Sequence, residues 1–382
     1  MKRVVLSVTN DLYTDPRVDK VAHSLEKMGC EVLLVGRRYG DSPALQPRSY
    51  ATSRMRLLFR KGPLFYAEYT LRLFFRLLFQ SCDILVANDL DTLLPNLLVS
   101  RLRHKPLVYD SHEYFCQVWE VVQRPKVQAV WHAVERYCFP KLTHIITVSD
   151  SIAEAYRKEY GKTVAVVRNL PLRSKGTEKP VSRAALGLPE DKKIIILQGN
   201  AIHKDRGGEL LVEAMACLPE TVFLLVVGAG DALPAMRERV EALGLSDRVR
   251  FTGRVTPEQL PAYTRCADIG VTFDRNVCLN HAYSLPNKLF EYIQAGIPLI
   301  VSDLPERRRI VETYQVGVVL EDLRPEAVAQ AVNRLVSDSA FYEHCRQHCR
   351  EAAQLLHWEK EEETLRRVYL PIIHNETTNH HS

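Results

Sequence analysis

The sequence contains no apolar run approaching the ~18 residues that a membrane-crossing helix needs, which argues against a polytopic membrane protein. Its amino terminus offers only Val4 to Val8 before Asn10 and Asp11, too short a stretch for a signal peptide. The nine cysteines are an odd number, and no two of them form a CxxC pair. They read as reduced, mostly buried thiols of a cytosolic protein rather than a disulfide framework. Residue-level repeats and low-complexity tracts are also missing, and a chain 46% hydrophobic and 25% charged is neither disordered nor fibrous. At ~150 residues per domain, 382 residues suggest about two domains.

Charge is unevenly placed. Between Arg48 and Arg76 stand seven bases (Arg48, Arg54, Arg56, Arg60, Lys61, Arg72, Arg76) against one acid, Glu68, a local excess of +6 in a chain whose net charge is +5. Leucine and phenylalanine interleave with these bases from Leu57 to Phe79. That pattern suits the interface of an anionic membrane, with Arg54, Arg56, Arg60, Lys61 and Phe65 as the expected lipid-facing residues. The ordinary alternative is a solvated helix whose other face lies in the core.

The first half alternates β-branched runs with amphipathic stretches. Strands are expected at 4–8, 31–35, 83–87, 107–109, 143–148 and 163–167. A helix carries Val18, Val21, Ala22, Leu25 and Met28 on one face and closes at Gly29. Alternation lapses over 173–190 into Pro, Lys, Ser and Gly, a linker signal. It resumes with strands expected at 193–197, 222–227, 249–252, 268–273, 298–302 and 317–320. The expected organisation is an α/β protein of two doubly wound, Rossmann-like parallel-sheet domains, 1–172 and 191–355, facing across a cleft. A last helix, about 356–372, is expected to pack back on the first domain. Ligands of such sheets bind at the carboxyl ends of strands.

Ser284 to Ser302 is the most informative stretch. Pro286 suits the first turn of a helix, Leu289, Phe290 and Ile293 form its inner face, and Gly296 ends it before a strand. Asn287 and Lys288 stand at the helix amino terminus, where free N–H groups and the helix dipole favour a diphosphate. Glu291, one turn on, can accept two hydroxyl protons from a ribose; the ordinary alternative is a capped helix with a surface glutamate.

This stretch, P-N-K-L-F-E-Y-I-Q-A-G-I-P-L-I, resembles the donor-site region of retaining glycosyltransferases of the GT-B architecture, in particular glycosyltransferase family 4. Asn10 to Val18, Ala87 to Leu94, Tyr109 to Tyr114, Leu197 to Asn200 and Phe251 to Val255 match further family segments in the same order. The resemblance implies a nucleotide-sugar donor, a lipid-linked or glycan acceptor, no nucleic acid partner, no cofactor and no metal. It implies that Glu291 holds the nucleotide ribose as the second acid of the family's E-x7-E signature; Tyr283 occupies the place of the first. The phosphate-binding bases fall near Gly199, Asn200 and Arg206; Arg206 keeps a charge, Asn200 does not, and Lys204 or Lys288 is expected to supply the second cation. Arg254 and Val255 complete the donor-side residues. His112, with Glu113 beside it, follows a predicted strand and is expected to face the donor sugar, with Asn10, Asp11 and Asp89 on the acceptor side.

Three tempting motifs read better in ordinary terms. Asp89-Leu90-Asp91 is formally a D-x-D metal motif, but Asp91 suits a helix N-cap. His344-Cys345 and His348-Cys349 lack a further ligand pair, so an exposed helix is preferred to a zinc site. Gly228-Ala229-Gly230 is not a dinucleotide fingerprint. The expected activity is transfer of a sugar, UDP-linked, onto a growing surface glycan by an enzyme held peripherally at the inner face of the cell membrane. A nucleotide-sugar epimerase or phosphorylase of the same fold, and a non-catalytic nucleotide-sugar-binding member, are the alternatives.

Overall fold

Val4, Val5 and Leu6 are fully buried because β1 (Arg3–Ser7) is an interior strand, paired in parallel on both sides. Around it, β2 (Glu31–Arg38), β3 (Ala51–Arg56), β4 (Ile84–Asn88), β5 (Leu107–Ser111), β6 (His144–Thr147) and β7 (Ala165–Val166) build a seven-stranded sheet in the order β3-β2-β1-β4-β5-β6-β7. The second sheet, order β10-β9-β8-β11-β12-β13, comprises β8 (Lys193–Gly199), β9 (Val222–Gly228), β10 (Val249–Gly253), β11 (Ile269–Thr272), β12 (Leu299–Ser302) and β13 (Gly317–Leu320). Every pairing in both is parallel. Near-continuous apolar strands such as V-F-L-L-V-V-G in β9 are what burial on both faces by crossover helices demands. The computed structural model describes residues 1–13, 15–173 and 181–374.

The chain divides into two compact units: Met1–Asn169 together with the stretch that begins at Glu361, and Leu170–Lys360. The last helix, Trp358–His374, contributes to the first unit through Glu361, which accepts the Arg168 backbone N–H at 2.7 Å and pairs with its guanidinium at 2.9 Å. Leu365 and Tyr369 are fully buried. Of the segment read as a linker, 174–180 lie outside the described residues. Its remainder is anchored in the second unit, where the Arg183 guanidinium donates to the carbonyls of Cys266 and Lys192 and pairs with Asp268 at 2.7 Å.

Strand order reverses between β1 and β4 in one sheet and between β8 and β11 in the other. At such a switch point the connecting helices leave toward opposite faces and open a crevice at the strands' carboxyl ends. Asn10 and Asp89 follow the first pair; Asn200 and Asp274 follow the second. The edge strand β3 is not anticipated by the sequence reading, because A-T-S-R-M-R lacks the aliphatic run that marks the buried strands.

Candidate active site

In the second unit, the carboxyl end of β11 delivers Asp274, fully buried, into a set of cations. Arg307, from the helix Pro305–Tyr314 and equally buried, pairs with Asp274 at 2.6 Å and donates to the Ser302 hydroxyl. Arg206 reaches the other carboxylate oxygen at 3.0 Å. Burial opposes ionisation of Asp274, but the charges of Arg307, Lys288 and Arg206 override it and hold its carboxyl well below the usual range. Burial lowers the Lys288 ammonium, Asp274 raises it again, and Arg206 and Arg307 oppose it. Asp274 thus has Arg206 and Arg307 in direct contact and feels the Lys288 charge, which leaves net positive charge beside the amino terminus of the helix Asn287–Ala295.

Glu291 lies one turn into that helix. Its carboxylate accepts the Gln198 amide N–H at 2.5 Å, and the Gln198 carbonyl accepts the Thr264 hydroxyl at 2.8 Å. Gln198 is buried at the end of β8, so this chain fixes the direction of the carboxylate. Two glycine positions shape the surrounding loops. Gly207 has φ +73°, and a Cβ there would stand 2.4 Å from that of Phe273, so a larger residue would push the turn bearing Arg206 off β11. At Gly228 a Cβ would stand 1.9 Å from the Gly199 carbonyl oxygen, and the Ile202 N–H donates to the Ala229 carbonyl just beyond. Gly228-Ala229-Gly230 is therefore a bed for the loop after β8.

Of the two lysines left open by the sequence, Lys288 joins Arg206 around Asp274, whereas Lys204 is exposed on the short turn Lys204–Arg206. Asn200 and Arg254 are exposed past β8 and β10; Gly199 and Val255 are half-buried. Pro286 occupies the N-cap position rather than the first turn, while Leu289, Phe290 and Ile293 are buried as expected. Asp274, Arg307 and Gln198 were not singled out. The available signal was positional: Asp274 and Gln198 lie at or just past the ends of switch-point strands.

In the first unit, β5 carries Asp110 as its penultimate residue, whose carboxylate pairs with the buried Arg17 at 2.7 Å, and ends in Ser111. His112 follows. Its backbone N–H donates to Asp89 at 2.7 Å, and its ring nitrogens lie 3.5 Å from Asp89 and 3.6 Å from Asp110. Burial alone would depress the imidazole, but Asp89 and Asp110 raise its pKa to about 9, so the ring is a cation at neutral pH. Glu113 moves to about 8, through burial and then the charges of Asp89 and Asp91. The neighbouring carboxylates thus favour the charged, hydrogen-bond-donating form of His112, and burial favours the protonated form of Glu113. Neither is set up as a base at pH 7.

Asp91 is not the helix cap. Asp89 holds that position, without a capping side-chain bond, and Asp91 instead accepts the Thr9 hydroxyl at 2.7 Å. The displacement has a cause: Asp89 adopts φ +61°, ψ 167°, which aims its carboxylate at the His112 N–H and starts the helix at Leu90. Such a backbone costs of order 1–3 kcal/mol and is found where surrounding contacts enforce it. Asn10 bonds the Leu12 N–H and Asp15, and Asp11 bonds the Tyr13 N–H, so both shape the turn after β1.

The basic segment resolves into β3 and the helix Gly62–Phe79. Phe65 is not lipid-facing: with Tyr69, Leu73 and Leu77 it forms the buried stripe. The exposed stripe is Leu64, Leu71, Phe75 and Phe79, preceded by Leu58 and Phe59, whose N–H groups are held by Glu68. Arg56, Arg60, Lys61, Arg72 and Arg76 are exposed, Arg60 paired with Asp41; Arg54 is half-buried and donates to the Pro43 carbonyl. No helix among the described residues is long and apolar enough to cross a membrane. On the helix Ser339–Ala353, His344 is exposed and His348 half-buried whereas Cys345 and Cys349 are buried on another face, so these pairs do not converge on one ion.

Two family models match the chain: Glycosyltransferase Family 4 over residues 17–170 and Glycosyl transferases group 1 over 178–354. An uncharacterised glycosyltransferase of Methanocaldococcus jannaschii is 25% identical over 225 residues, 56% of this chain and 56% of that protein. The match thus spans little more than half the length of that relative. Sucrose-phosphate synthase from Thermosynechococcus elongatus superposes with a TM-score of 0.76 at 20% identity, covering 98% of this chain and 99% of that one. HepE from Anabaena, in complex with UDP-glucose, does so with a TM-score of 0.75 at 14% identity, covering 96% and 99%. With two parallel-sheet domains and a family match in each, the chain belongs to the GT-B glycosyltransferases of the family 4-like type.

Proposed function

We propose that this protein is a retaining glycosyltransferase that takes a sugar from a nucleoside diphosphate donor, UDP-linked, and passes it to a lipid-linked or growing surface-glycan acceptor. The observation that carries the reading is the cluster of Arg206, Lys288 and Arg307 around Asp274, with Glu291 one helical turn further. A leaving diphosphate gathers negative charge as the glycosidic bond breaks, and preformed cations aimed at it stabilise that charge in the transition state. Arg206 and Lys288 are the proposed contacts; Asp274 and Arg307 hold them in place. Glu291, oriented by Gln198, receives the ribose hydroxyls. Because side-chain cations serve the diphosphate, the proposed transfer requires no divalent ion.

Retention follows from attack on the face that the diphosphate leaves, a departing phosphate oxygen taking the acceptor's proton. A protonated His112 fits a role as donor to a sugar hydroxyl in this scheme. The exposed Leu64, Leu71, Phe75 and Phe79 stripe, flanked by bases, supports peripheral attachment to the anionic inner face of the cell membrane.

The test is a thermal-shift screen of UDP-, GDP- and dTDP-sugars in EDTA, followed by NMR of the product's anomeric configuration. A ligand at 100 times its Kd adds about 2.7 kcal/mol to native stability. Stabilisation by UDP-sugars and a retained anomer are expected. No shift with any nucleotide, or an inverted product, overturns the proposal.

A further inference from the structure

Cys116, His132 and Glu135 meet in the first unit and take no part in the chemistry above. Cys116 lies on the turn Phe115–Gln117, immediately after the loop that carries His112 and Glu113. His132 and Glu135 stand three apart on the helix Pro125–Cys138, and so project from one face of it. A sulfur, a ring nitrogen and a carboxylate oxygen from these residues all lie within 4.8 Å of one another, and His132 Nδ1 is 3.7 Å from Glu135 Oε2. Bonds of about 2.0–2.3 Å to one tetrahedral ion would set such atoms roughly 3.3–3.8 Å apart. The cluster therefore needs to contract by up to about 1.5 Å, within reach of side-chain rotation.

Glu135 is fully buried. The Tyr160 hydroxyl donates to its Oε2 at 2.9 Å, the Cys116 thiol interacts with the same carboxylate, and no donor stands at normal hydrogen-bond geometry to Oε1. Burying such an oxygen is costly unless something occupies the space in front of it. Cys116 is also fully buried, whereas His132 is 25% exposed and gives an ion a route in. A thiolate, an imidazole and a carboxylate form a mixed S, N, O set that suits zinc over magnesium or calcium.

We propose that Cys116, His132 and Glu135 bind one zinc ion, with Tyr160 holding the Glu135 carboxylate from behind and water completing the coordination. Binding replaces the thiol proton of Cys116 by the metal. The ion then ties the turn after the His112 loop to the helix Pro125–Cys138, a link that Gln128 already begins by donating to the Cys116 carbonyl at 2.9 Å. Its role is to fix that loop. This inference is independent of the donor reading, since every residue involved lies in the first unit.

The experiment uses the full chain, reduced and stripped with chelator, titrated with Co2+ and then Zn2+. One equivalent of Co2+ is expected to give a near-ultraviolet thiolate charge-transfer band that Zn2+ abolishes. Cys116→Ser should remove the band, and His132→Gln should weaken binding. Tyr160→Phe, which deletes one hydroxyl, should weaken it roughly 10- to 100-fold, as loss of an outer-shell partner does. If Cys116→Ser does not fold, His132→Gln and Tyr160→Phe still decide the matter. Replacing His344 and His348, on the second unit, by alanine should leave the band intact. Absence of the band in the wild type overturns the proposal and leaves a buried hydrogen-bonded network. So does metal uptake that survives His132→Gln but disappears with His344 and His348.

Discussion

Replacing Glu291 by alanine removes the carboxylate proposed to hold the donor ribose, and its structural surroundings allow the effects on binding and on folding to be separated. Two hydrogen bonds from ribose hydroxyls to a charged acceptor are together worth roughly 2–3 kcal/mol when lost, or ~30- to 150-fold in affinity. The same substitution leaves the buried Gln198 amide without its acceptor, costing about 1–3 kcal/mol of stability. Glu291→Gln keeps an acceptor oxygen for Gln198 but loses the charge. Alanine should therefore lower both the Tm and the affinity for UDP, whereas glutamine should lower chiefly the affinity. Calorimetric titration with UDP at a temperature where circular dichroism shows each variant folded measures the two separately. A folded Glu291→Ala protein with wild-type affinity would refute the ribose assignment. A glutamine variant as unstable as the alanine one would show that Gln198 is not held as described.

Lys288→Ala and Arg206→Ala should each reduce turnover with little change in Tm, because neither is fully buried; wild-type kcat in both would place the diphosphate elsewhere. Arg307→Met leaves Asp274 short of its buried partner and should cost about 3–5 kcal/mol, read as a large fall in Tm. The His112 ring faces Asp89, Asp110, Arg17 and Asn88, and its pKa rises from ~6.5 unfolded to about 9 folded. Its stabilisation should therefore be complete below pH ~6.5 and lost as pH rises through about 9. Denaturant unfolding between these limits should show the decline, and His112→Asn should make it shallower, leaving the part that the raised Glu113 carboxyl contributes. Finally, changing Arg56, Arg60, Lys61 and Arg76 together to glutamate should abolish co-sedimentation with anionic vesicles. At ~1 kcal/mol per base, ~4 kcal/mol of attraction is lost. Equal binding of wild type and variant would reduce the cluster to a solvated face.

What the sequence disclosed and what it concealed divide along physical lines. Interior strands were legible because burial on both faces demands unbroken aliphatic runs, as in β1 and β9; the polar edge strand β3 carries no such demand. The helix that carries Lys288 and Glu291 was legible because a helix start announces itself locally, through Pro286 and the apolar spacing that follows. Asp274 and Arg307 were not, because their pairing depends on sheet order: β11 and the helix after β12 become neighbours only when the parallel sheet forms. Each residue appears in the sequence as an unremarked single charge. The helix Gly62–Phe79 is ambiguous for a different reason. It carries two apolar stripes, one through Phe65, Tyr69, Leu73 and Leu77 and another through Leu64, Leu71, Phe75 and Phe79, and periodicity fits either as the inner face. Only packing decides, and it buries the first. An exposed apolar stripe of this size marks an interaction or membrane surface more often than bare solvent, and this helix has core on one side alone. The second stripe, with exposed bases around it, is the surface that the proposed attachment of the first unit to an anionic bilayer would cover.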